Sequence, residues 1–119
     1  MKHPEALELV AEFHRTFHHP ILPAPAIPDE RRCRLRVALL AEELKEMEHA
    51  IEQKDLVGVA DALCDLQYVL SGAILEFGLQ DRFKALFEEV QRSNMSKVCH
   101  SEEEAQRTVE FYKKKDGTE

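Results

Sequence analysis

Apolar residues recur along this chain at spacings of three and four, not two. That is the period of helices that each bury one face. Ala6, Val10, Phe13 and Phe17 mark a first helix over about residues 4–18. Four prolines within His19–Pro28 then stop it, since each fixes φ and removes a backbone donor. Ile21, Leu22 and Ile27 in that stretch call for cover, which predicts a packed connector. Asp29 is placed to cap a second helix over about 29–53, in which Cys33, Val37, Leu40, Leu44, Met47 and Ile51 form an apolar stripe. Asp55 caps a third helix over about 56–77, ended by Gly78. A short fourth helix is expected over about 80–91, with Phe83, Leu86, Phe87 and Val90 inside. A polar break follows from Arg92 to His100. Ser101 and Glu104 have capping-box spacing for a last helix over about 102–114. The pattern predicts an all-α bundle of four to five helices, built as one domain over residues 1–119 around a central antiparallel hairpin.

The third helix is apolar on nearly every side, which predicts a central position or a subunit interface. No uninterrupted run of about 18 apolar residues exists, so no membrane span is expected. The charged start, the acidic balance and three scattered cysteines (Cys33, Cys64, Cys99) point to a reduced, cytoplasmic protein. The net charge of −7 argues against a binder of nucleic-acid polymers. An acidic protein that acts on phosphates needs a cation between itself and its substrate.

Candidate chemistry lies on the hairpin. Glu42, Glu43 and Glu46 form an E-E-x-x-E cluster on the second helix, and Asp61 and Asp65 interrupt the apolar third helix on one face. Glu43 and Asp65 are centred on position 54, and Glu46 and Asp61 half a residue before it, at the expected turn. Antiparallel packing therefore brings these carboxylates to matching heights, roughly 11–16 Å from the turn. Converging anions are costly unless a hard cation joins them, and an all-oxygen set suits Mg²⁺ or Mn²⁺. Tyr68 and Gly72 continue the face of Asp65, and Gly72 lets another group approach closely.

These residues resemble a known superfamily. Leu35-Arg36, Glu42-Glu43-Leu44, the run Ala60-Asp61-Ala62-Leu63-Cys64-Asp65-Leu66-Gln67-Tyr68-Val69, and Ser93-Asn94-Met95-Ser96-Lys97 are similar to motifs of the all-α nucleoside triphosphate pyrophosphohydrolases. Those include the MazG-like and phosphoribosyl-ATP pyrophosphohydrolase-like proteins. The resemblance covers about residues 13–100. It implies a homodimer or higher homo-oligomer, Mg²⁺ held by Glu43, Glu46, Asp61 and Asp65, and hydrolysis between the α and β phosphates of a nucleotide. Many relatives clear unwanted nucleotides. Glu42 stands beside the cluster as the base for water or as ligand to a second metal. Asn94 and Lys97 are expected contacts to sugar or phosphate. Arg36 is a candidate phosphate contact or a neutraliser of an acid, and Tyr68, Phe13 or Phe17 could pack on a base or in the core. The superfamily's second motif usually reads E-x-x-D. Here Ala62 stands three before Asp65, so only Asp61 can substitute.

Two other classes compete. A di-iron bundle wants E-x-x-H on two helices, and only Glu46-Met47-Glu48-His49 supplies one. A non-enzymatic oligomeric adaptor explains an apolar third helix but not Asp61 and Asp65 within it. The Cys99-His100 and His18-His19 pairs lack partners at zinc-site spacing.

Overall fold

A computed structural model describes residues 5–98, and they contain four helices and no strand. The helices are α1 (Ala6–Thr16), α2 (Glu30–Glu52), α3 (Leu56–Glu76) and α4 (Phe83–Val98). The fold is all-α, as the spacing predicts. The chain divides into two compact units, Met1–Asp81 and Arg82–Glu119. The expected last helix and its capping box lie outside the described residues.

In the first unit α3 packs against both α1 and α2. Both long helices begin where the acids predict. Asp29 accepts from the Arg32 amide at 2.9 Å, and Asp55 from the Gly58 amide at 3.0 Å, so each fills an orphan donor of the first turn. Between α2 and α3 the chain reverses through Lys54, which stands at φ 54.

One register governs the hairpin. Ala50 lies against Gly58, where an added Cβ would stand 3.1 Å from the Ala50 methyl. Glu43 faces Asp65, Arg36 crosses Gly72, and Arg32 reaches Glu76. Every pair is centred on position 54. The inward stripe of α2 is therefore Arg36, Leu39, Glu43, Glu46 and Ala50. It lies one residue, or about 100°, from the apolar stripe that the sequence suggests as the buried face.

That displacement corrects the expected buried face of α2. Val37, Leu44 and Ile51 are 66%, 53% and 55% exposed, while the buried residues of α2 are Arg36 and Ala50. Within one copy of the chain α3 packs on both α1 and α2 but is not covered on every side: Leu56, Val57 and Leu63 are exposed, and burial concentrates in Ser71–Glu76. By length and composition α3 could cross a membrane. Its ion-paired, buried Glu76 fits a core helix instead.

The proline-rich connector is packed, as expected. The amide of Leu22 donates to Leu75 O at 3.1 Å and that of Ala26 to Phe77 O at 3.0 Å. Gln80 Nε2 donates to Leu22 O at 2.9 Å. The strap thus gives Phe77 O a donor and adds a second one to Leu75 O, which also accepts from the Gly78 amide at 3.1 Å. Gly78 stands at φ 68, and a Cβ there would fall 2.1 Å from Ala24 O, so both the turn and the strap require glycine. Ile27 finds no cover and is 83% exposed.

Candidate metal centre and the cavity beside it

The middle of the hairpin gathers three carboxylates. One oxygen each of Glu43, Glu46 and Asp65 lies within 4.8 Å of the others. Glu43 Oε2 is buried and has no hydrogen-bond partner, although the residue as a whole is half-buried. Burial pushes the Glu43 carboxyl up to about 7, helped by the close approach of the Glu46 carboxyl and by the charges of Asp65 and Glu42. Like charges here oppose ionisation, and among the described residues no lysine or arginine is paired with any of the three. An all-oxygen group with a sealed, unpartnered acceptor fits a hard divalent cation.

The other acids stand differently. Asp61 is exposed and outside this group of three, because the inward positions of α3 are Ala62 and Asp65. Glu42 is exposed beside Glu43, near enough for its charge to raise the Glu43 carboxyl.

One helical turn from the carboxylates, a cavity of about 270 Å³ opens between α1, α2 and α3. Tyr68 lines it, in edge-to-face contact with Phe13 at 5.6 Å between ring centres. Phe13 also stacks at 4.6 Å on Phe17, which is 58% exposed, so these rings form a surface cluster and not a core. Arg36 lies at the cavity floor. Its Nε donates to Glu76 Oε1 at 2.6 Å. Arg32 donates to the same carboxylate through Nε at 2.5 Å and Nη2 at 2.9 Å. Of the roles open to Arg36, neutralising an acid is therefore filled, by Glu76. Arg34 pairs with Glu30 on the surface, not with an acid of α3.

Sequence reasoning missed Arg32, Glu76 and His14 as a network. Signals existed: Arg32 and Arg36 are four apart, Glu76 lies seven beyond Val69 on the inward face of α3, and His14 is four beyond the buried Val10. His14 is buried and its Nδ1 lies 2.9 Å from Pro20 O.

In the second unit, α4 runs to Val98 through the expected polar break. Asn94 and Lys97 are thus exposed residues of a helix, three apart on one face, and not of a loop. The reason is that Arg92–Lys97 contains neither glycine nor proline, so nothing there breaks the helix.

A family profile described as phosphoribosyl-ATP pyrophosphohydrolase matches residues 10–94, more than half of the chain. The chain is also 32% identical, over 98 residues, to an uncharacterized protein of Acanthamoeba polyphaga mimivirus. That match takes in 79% of this chain and 39% of the viral protein, so the chain spans about two fifths of that relative's length.

Proposed function

The chain belongs to the phosphoribosyl-ATP pyrophosphohydrolase family, and from that premise we propose that it is a Mg²⁺-dependent nucleoside triphosphate pyrophosphohydrolase. It cleaves between the α and β phosphates and releases a nucleoside monophosphate and pyrophosphate, in a nucleotide-clearing role. The observation that carries this reading is the group of three carboxylates with a sealed, unpartnered oxygen on Glu43.

Glu43, Glu46 and Asp65 hold the cation, with Asp61 assisting from the rim. When bound, a divalent cation neutralises phosphate oxygens and aligns the anhydride for in-line attack by water. Glu42, exposed beside the group, takes the proton of that water. Arg36 and Tyr68 contact the nucleotide from the cavity. Asn94 and Lys97 offer an amide and a cation on one face of α4 for sugar and phosphate.

A homodimer or larger homo-oligomer completes the reading. The apolar stripe of Val37, Leu44 and Ile51 is exposed, and a second copy supplies a like surface.

The test is pyrophosphate release from a panel of canonical and modified nucleoside triphosphates, with Mg²⁺ or Mn²⁺ and with EDTA. Cation-dependent release of monophosphate and pyrophosphate supports the proposal. Silence across the panel from folded protein that binds no cation contradicts it and favours the adaptor.

A further inference from the structure

The cavity beside the carboxylates has a floor of two buried polar tips. His14 is 3% exposed and Arg36 6%. Burial lowers the His14 pKa, so the ring is neutral near pH 7. A neutral imidazole that bonds a carbonyl must donate to it, so Nδ1 carries the proton and Nε2 keeps its lone pair. Arg36 spends Nε on Glu76 and has Nη1 left over. Both tips converge at Gly72. An added Cβ there would meet Arg36 Nη1 at 2.6 Å and His14 Nε2 at 3.2 Å. Among the described residues neither of these atoms has a hydrogen-bond partner. An acceptor and a donor so placed, on buried side chains lining a cavity, match a ligand that supplies both.

The hydrogen-bonding pattern says which ligand. Arg32 and Arg36, both at the cavity, share the single carboxylate of Glu76, so one positive charge is left over. His14 Nε2, however, is an acceptor and asks for an N–H, which a neutral heterocycle supplies and an ionised phosphate does not. The walls agree, since Phe13 and Tyr68 present aromatic rings. Distance agrees too. Leu39 at the cavity is four residues from Glu43, and Tyr68 three from Asp65. Each is about one turn, or roughly 5 Å, a gap that a sugar bridges.

We propose that this cavity seats the base of the nucleotide, which gives an N–H to His14 Nε2 and accepts from Arg36 Nη1 through a neighbouring ring nitrogen or carbonyl oxygen. Glu76 is a positioning residue, because its two bonds to Arg32 and its bond to Arg36 set the guanidinium in place. The inference rests on the hydrolase reading for the identity of the ligand as a nucleotide.

The test uses the full chain. Imidazole ¹⁵N signals are followed while nucleoside monophosphates, or inorganic pyrophosphate as control, are added in EDTA. The His14 Nε2 signal should move with at least one monophosphate and stay still with pyrophosphate. His14→Asn keeps a donor for Pro20 O and removes the Nε2 acceptor. It should raise KM for the preferred triphosphate about tenfold with kcat within about twofold, at unchanged Tm. A His14 signal that ignores every nucleotide, or one that answers pyrophosphate equally, overturns the base seat, even if cation-dependent hydrolysis is found. A signal that answers monophosphates in a protein without hydrolysis keeps the base seat and sinks the hydrolase reading. Because the signal is read on the unaltered chain, a misfolded variant does not decide the matter.

Discussion

The α2–α3 hairpin carries two ionic clusters on one inward stripe, and they are opposites. Toward its open end Arg32 and Arg36 clasp Glu76, which is 1% exposed. Burial alone would raise the Glu76 pKa, but the hydrogen bonds and charges of the two arginines outweigh it and hold the carboxyl below its usual range. Seven residues nearer the turn on α2, Glu43 meets Glu46 and Asp65, none of them paired with a lysine or arginine among the described residues, and the Glu43 carboxyl is pushed up to about 7. One cluster is complete as it stands. The other has an excess of negative charge and, among the described residues, no paired cation. Buried charge in a helix pair is therefore no guide to function until its sign balance is known.

Breaking the incomplete cluster should cost activity. Asp65→Ala removes one of three ligands, and pyrophosphate release should fall about a thousandfold, while the Tm in EDTA does not fall. Breaking the complete cluster should cost stability. Glu76→Gln strands the buried Arg36, and urea unfolding should show a loss of about 3 kcal/mol. A gentler probe is Gly72→Ala, whose Cβ would crowd Arg36 Nη1 at 2.6 Å. It should destabilise by about 1–2 kcal/mol by the same measurement.

Titration separates the two clusters by sign. The lowered pKa of Glu76 gives stability that is present above its ordinary value of 4.5 and lost as pH falls through the folded value. The raised pKa of Glu43 does the reverse: cation-free protein loses stability as pH climbs from 4.5 to about 7. Thermal melts in EDTA across that range should therefore show a weaker decline with pH for Asp65→Asn than for the unaltered chain. An identical decline would mean that the carboxylates do not feel one another.

Much of this was legible in the sequence. Asp29 and Asp55 cap their helices, and the pairing of Glu43 with Asp65 about position 54 follows from the turn. Periodicity selected the wrong face of α2. It finds the most apolar stripe, whereas the hairpin turns a stripe of Arg36, Glu43 and Glu46 inward and leaves Val37, Leu44 and Ile51 outside. The pattern of a single chain does not say which of two faces meets its own neighbour and which meets another copy. The length of α4 was hidden for a different reason, since Ser93 and Asn94 read as a break but can be carried by a helix. The network of His14, Arg32 and Glu76 depends on contacts up to 44 residues apart, which local pattern does not encode.

The central claim is that Glu43, Glu46 and Asp65 are held together by a divalent cation. Calorimetric titration of Mn²⁺ or Mg²⁺ into the intact chain near pH 7, in two buffers of different ionisation enthalpy, tests it most directly. The account predicts saturable binding, release of part of a proton as Glu43 gives one up, and loss of both in Asp65→Ala. Binding that is unchanged in Asp65→Ala, or no binding to the intact folded chain, would contradict it.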